Sequence, residues 1–185
     1  MSNIEEKYKK GKKIELTKDD KVVGKIKIVS DIVKFKDYNL IFADITEKFN
    51  ESACNVLRLD ETTALVMKNN EMLAEIGFTR EELEAIYCHE LGHCFSKNQR
   101  EIKKDERNVA DEIDSDIFAV KQCGISPYVL ESALAKTYEY DIKNIDKKEN
   151  MTQERLDRYV NEMRARKRNV EKLINEFEDK DKSTR

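Results

Sequence analysis

Only two histidines occur among the 185 residues, His89 and His93, and both fall in one five-residue window. The window reads His89-Glu90-Leu91-Gly92-His93, the pattern H-E-x-x-H. On a helix, positions four apart lie on one face about one turn apart. Two imidazoles so placed can share one tetrahedral zinc ion at about 2.0–2.1 Å. Glu90 lies about 100° round the helix, too far to join the same ion easily. It is well placed to hydrogen-bond a metal-bound water, take its proton and later hand that proton to a leaving amine. The spacing therefore points to metal-assisted hydrolysis.

A catalytic zinc usually has three protein ligands and a water. With no third histidine in the chain, the third ligand must be a carboxylate or a cysteine. The extension H-x-x-G-x-x-H is absent, because Ser96 and Gln99 stand at those glycine and histidine positions. Glu112 is the best candidate, nineteen residues after His93; Asp111, Asp114, Glu101 and Asp105 are alternatives. Asp116 follows Glu112 on the same helical face, at the edge of the stripe Val109, Ile113, Ile117 and Val120. Two inward acids with no lysine on their stripe are costly to bury. A zinc ion and a histidine N–H donor would satisfy both. Glu112 is then the metal ligand, and Asp116 the acceptor for the second nitrogen of a ligand histidine. Cys88 and Cys94 flank the histidines but point about 100° away from them. With Cys54 and Cys123 they read as reduced, buried packing.

The surrounding sequence must supply the scaffold. Thr79-Arg80-Glu81-Glu82 fits a capping box, and Leu83, Ile86, Tyr87 and Leu91 follow at helical spacing, so a helix runs from Thr79 to about Ser96. Gly92 costs about 1 kcal/mol of helix propensity against alanine; a glycine here implies close approach by another backbone or by the metal site. After a polar connection, Lys97–Lys104, a second helix covers about Asp105 to Gln122, with Gly124 closing it. Ser126-Pro127 opens a third helix. Asp141–Asn150 reads as a polar linker, and an amphipathic helix covers about Thr152 to Glu178, its basic run Arg164–Arg168 exposed. Upstream, Lys13–Thr17 and Val22–Val29 alternate around the turn Lys18-Asp19-Asp20-Lys21 and form a hairpin. Leu40–Ala43 and Ala64–Met67 have strand length, and Ile45–Leu57 fits a short helix. The class is α+β: a small, mostly antiparallel sheet packed on the H-E-x-x-H helix, with further C-terminal helices. The domain covers residues 1–145, of which residues 1–63 are β-rich, and the C-terminal helix 151–179 packs on it.

Composition narrows the partners. Thirty-five Lys+Arg against 38 Asp+Glu gives a net charge of −3, which carries no electrostatic footprint for nucleic acid. No run approaches the length of a membrane span, and the start does not read as a secretory signal. A cytoplasmic protein is expected.

His-Glu-Leu-Gly-His on one helix, then Glu112-x-x-x-Asp116 and Ala119 on the next, resembles the gluzincin metallopeptidases. The glycine and the E-x-x-x-D-x-x-A pattern are similar to the HtpX-like zinc endopeptidases in particular, and the ImmA/IrrE-type peptidases are a second similar group. The resemblance covers roughly residues 79–124, and Thr152–Arg158 is faintly similar to the helix that closes the HtpX-like domain. It implies a zincin-like fold, one zinc ion per chain held by His89, His93 and Glu112, and Glu90 as general base acting on peptide bonds. It also implies that Ala64–Met67 is the edge strand that pairs with an extended substrate. Two departures stand out. HtpX-like enzymes are membrane proteins, and they carry a downstream histidine or similar group, whereas no histidine follows His93 here. A tyrosine or arginine must then stabilise the oxyanion; Tyr128, Tyr138, Tyr140 and Tyr159 are unranked candidates. The expected partners are a protein or peptide substrate and a regulatory protein. Competing readings are a zinc-stapled binding module without activity, and a phage or mobile-element regulator that cleaves one protein.

Overall fold

Strand-forming alternation dominates the first third of the chain and helical spacing the remainder, and the fold divides accordingly. The computed structural model describes residues 3–18, 21–47, 52–96, 109–147 and 151–183. Two compact units emerge, residues 1–75 and 76–185.

The first unit begins with a short helix, α1 (Asn3–Lys7), and the hairpin of β1 (Lys13–Lys18) and β2 (Lys21–Ile28). The turn residues Asp19 and Asp20 lie outside the described residues. β3 (Val33–Phe35) turns through Lys36, at φ 53°, into β4 (Tyr38–Glu47). β5 (Cys54–Arg58) and β6 (Thr63–Lys68) follow, and α2 (Asn70–Ile76) ends at the first residue of the second unit. The order is β1-β2-β4-β6-β5, with β3 paired to β4. Among the described residues only β4 and β6 run parallel; the other pairings are antiparallel. Ile26, Ile28, Ile41, Ala43, Leu65 and Met67 form a core with Tyr8, which follows α1.

Two expectations are corrected here. Ala64–Met67 lies in β6, which is flanked by β4 and β5 and is not an edge. Strand order is set by pairings distant in sequence, which the apolar run does not encode. In Ile45–Leu57 the described residues continue β4 and form β5 rather than a helix.

The second unit is helical: α3 (Arg80–Phe95), α4 (Val109–Lys121), α5 (Pro127–Lys143), a single 3-10 turn (Ile145–Lys147) and α6 (Gln153–Ser183). α3 packs on α4 and α5, and α6 packs on the same two helices. The class is α+β, with a mostly antiparallel sheet and an H-E-x-x-H helix followed by further helices, as the sequence predicts. Among the described residues no helix is long and apolar enough to cross a membrane.

The capping box at the start of α3 is complete. Thr79 Oγ accepts from the Glu82 amide at 3.2 Å, and Glu82 Oε2 accepts from the Thr79 amide at 2.6 Å. Glu82 also takes hydrogen bonds from Ser132 and Lys136 of α5, each at 2.6 Å. Gly124, at φ 71°, closes α4, and the Ile125 amide reaches back to the Ala119 carbonyl at 3.1 Å.

On α4 the buried side chains are Ser115, Asp116, Phe118 and Ala119, whereas Val109, Ile113, Ile117 and Val120 are half-buried. The inward face is thus turned from the expected apolar stripe toward the polar residues. The expected helix start at Asp105–Asn108 and the connection Lys97–Lys104 lie outside the described residues. So do Gln99, Glu101 and Asp105.

Candidate metal centre

Gly92 sets the distance between the two helices that carry the site. A Cβ at this position would stand 2.7 Å from Ser115 Cα, closer than two such carbons can approach. Only glycine lets the backbone of α4 settle onto α3 here. That contact brings the turn bearing His89 and His93 against the turn bearing Glu112 and Asp116.

The two imidazoles meet edge to face, with ring centroids 4.8 Å apart. Their Nε2 atoms converge to 3.1 Å. Glu112 completes a triangle, with Oε2 at 3.3 Å from His89 Nε2 and Oε1 at 3.7 Å from His93 Nε2. Donors held at about 2.0–2.1 Å by one tetrahedral ion are separated by roughly 3.3–3.4 Å. The spacing found suits such an ion. His89, His93 and Glu112 form a group able to hold a metal.

The outer nitrogens explain why the inner ones converge. His89 Nδ1–H donates to Asp116 Oδ1 at 2.8 Å, and His93 Nδ1–H donates to Asp111 Oδ2 at 2.9 Å. Ser115 Oγ also lies 3.1 Å from His93 Nδ1. Because an ionised carboxylate can only accept, each contact places a proton on Nδ1. In the neutral ring that leaves the Nε2 lone pair for a cation. Asp111, an alternative third ligand from the sequence, sits on His93 instead.

The charges of the cluster are strongly coupled. Burial and the Arg166 guanidinium both favour neutral His89; Asp116 and Glu112 outweigh them and raise its pKa to about 9. Burial raises the Glu112 and Asp116 carboxyls, but His89 and Arg166 outweigh it and hold both below the usual carboxylate range. Glu90 behaves oppositely. Burial raises its pKa and Glu112 adds to the effect, against the pull of His89, His93 and Arg166. A half-buried carboxyl beside the metal-binding group, with its pKa raised, is equipped to take up a proton.

Arg166, on α6, was not singled out by the sequence and lies at the centre of the network. It is 7% exposed. Its Nε and Nη2 fork onto Asp116 at 3.0 and 2.8 Å, and its Nη1 donates to Glu112 Oε2 at 2.9 Å. The basic run Arg164–Arg168 is therefore not uniformly exposed: Arg164, Lys167 and Arg168 face solvent and Arg166 is buried. The acids of α4 have a cationic partner within the chain, contrary to the expectation that zinc and a histidine alone would satisfy them. A signal was present. Tyr159, Met163, Val170, Leu173 and Phe177 recur in steps of three and four, and Arg166 fills the gap between Met163 and Val170. A charge in an apolar stripe requires a buried partner.

The tyrosines considered for oxyanion stabilisation are on α5 and α6. Tyr128 donates to Glu178, Tyr159 donates to Asp141 Oδ2 at 2.6 Å, and Tyr138 stacks on Tyr159. Tyr140 is half-buried on α5. All four cysteines are buried.

Comparison of the chain with protein-family models, with curated proteins and with solved structures finds no match in any of the three.

Proposed function

We propose that this protein is a zinc-dependent metallopeptidase of the gluzincin type. The convergence of His89 Nε2, His93 Nε2 and the Glu112 carboxylate, with both Nδ1 atoms held by carboxylates, carries this reading. Two imidazoles and one carboxylate are a donor set typical of catalytic zinc. The arrangement H-E-x-G-H followed by E-x-x-x-D is similar to the HtpX-like endopeptidases and to the ImmA/IrrE-type peptidases. The substrate class is protein or peptide, and the setting we assign is the cytoplasm, with a regulatory protein partner.

His89, His93 and Glu112 would hold the ion. When bound, zinc supplies a Lewis acid that polarises the scissile carbonyl and lowers the pKa of water toward about 7. Asp116 and Asp111 keep the two imidazoles in the tautomer that leaves Nε2 available. Glu90 takes a proton from the attacking water and passes it to the departing amine. Burial raises its pKa, which makes it a stronger base than an exposed carboxylate.

Mutating Glu90→Gln tests the assignment. The variant should keep zinc and lose cleavage of an unstructured protein substrate by about 100-fold or more. Unchanged cleavage refutes the role of Glu90. One observation favours a second reading: Arg166 already pairs Glu112 and Asp116, so the cluster could serve as a structural staple in a binding module. A wild-type protein that binds zinc and cleaves nothing in a broad peptide library would support that alternative.

A further inference from the structure

Arg166 makes three directed hydrogen bonds to two different carboxylates, both on one turn of α4. One of these acids, Asp116, accepts the Nδ1 proton of His89; the other, Glu112, is in the metal-binding group. One guanidinium thus touches one of the three donors directly and the support of a second. Its Nη2 also lies 3.3 Å from His89 Nδ1.

We infer that Arg166 is the positioning residue of the metal centre. This rests on the reading that His89, His93 and Glu112 hold a metal. The planar fork fixes the rotamer of Asp116, and Asp116 fixes the tautomer and ring angle of His89. The third bond engages Oε2 of Glu112 and so disfavours binding of the ion by both carboxylate oxygens. A lysine cannot do the same work. Its ammonium is a point charge on a flexible stem, whereas the guanidinium presents its donors in a fixed plane. The cation also stabilises the metal-free centre, because the two acids of α4 remain paired when no ion is bound. It sets the geometry from the last helix of the chain, far in sequence from H-E-x-x-H.

The test compares the wild-type full chain with Arg166→Lys and Arg166→Met. Zinc affinity is measured by competition with a chromophoric chelator. Cobalt(II) is used as a second probe, because its visible absorption reports ligand number and symmetry. Circular dichroism establishes folding. Both variants should bind zinc about 10- to 100-fold more weakly. Their cobalt spectra should weaken and shift toward those of higher coordination number as Glu112 becomes free to bind through both oxygens. Arg166→Met leaves Asp116 without its cation; if it does not fold, Arg166→Lys, which keeps the charge, decides the question. A folded Arg166→Lys with wild-type zinc affinity and an unchanged cobalt spectrum overturns the positioning role. Wild-type protein that takes up neither zinc nor cobalt overturns the metal-centre reading as well, so the two failures are distinct.

Discussion

His89 and His93 are held from behind by different acids, and the difference gives the residues of the site unequal weights. Asp116 is fully buried and forked by Arg166, whereas Asp111 is only partly buried. Asp116→Asn should therefore reduce zinc affinity by about 10- to 100-fold, and Asp111→Asn by less. Glu112, the carboxylate proposed to hold the ion directly, should matter more than either. Glu112→Gln is expected to lose zinc at concentrations that saturate the wild type, while Asp114→Asn is expected to keep it. Equilibrium dialysis against zinc distinguishes these cases; equal affinities for Glu112→Gln and the wild type would remove Glu112 from the ligand set. At this scale the sequence was informative wherever the chemistry was local. The five-residue window exposed His89, Glu90 and His93, and the acid pair on the next helix exposed Glu112 and Asp116. Arg166 escaped because its partners lie 50 and 54 residues away, and a run of basic residues resembles a solvated face.

Helices α3 and α4 are placed by contacts that single substitutions can probe. Gly92→Ala gains about 1 kcal/mol of helix propensity but drives a methyl group into the α4 backbone at Ser115. Overpacking of this kind costs about 1–3 kcal/mol. The variant should be less stable to urea and should bind zinc more weakly, because α4 must retreat with its carboxylates. A more stable variant with intact affinity would show that the close crossing is not needed.

Glu82 ties the start of α3 to α5. Burial alone would raise its carboxyl, but hydrogen bonds from Lys136, Ser132 and the Thr79 amide bring its pKa from 4.5 to about 2. A lowered pKa in the folded state stabilises above the unfolded value and is lost as pH falls. The contribution is therefore complete above about pH 4.5 and fades as pH drops toward 2. Glu82→Gln should lower stability at pH 7 by about 1–2 kcal/mol and flatten the acid limb of a stability-against-pH curve. An unchanged acid limb would remove Glu82 from this role. The cap was legible because its residues are adjacent in sequence. The short elements β3, α1 and α2, of three, five and seven residues, carry too few periodic positions to register. The place of β6 inside the sheet depends on non-local pairing that its own residues do not reveal.

For the whole molecule, the metal-binding group His89, His93 and Glu112 and the contacts from Asp111, Asp116 and Arg166 all belong to residues 76–185, and among the described residues the sheet of residues 1–75 adds no member to that group. Zinc at about 100 times its dissociation constant should stabilise the site-bearing unit by about 2.7 kcal/mol. Hydrogen exchange with zinc or with chelator should show the slowing concentrated in α3, α4 and the turns of α6 around Arg166. The strands of the first unit serve as an internal reference. Equal slowing throughout would mean that the ion binds elsewhere or acts non-specifically.

The most direct test is the metal content of the purified full chain after zinc loading and desalting, measured beside His93→Ala. We predict about one zinc per chain in the wild type, as for a site of three protein ligands, and a near-complete loss in the variant. Zinc-free wild-type protein, or a His93→Ala variant that retains zinc, would contradict the metal centre on which the proposed function depends.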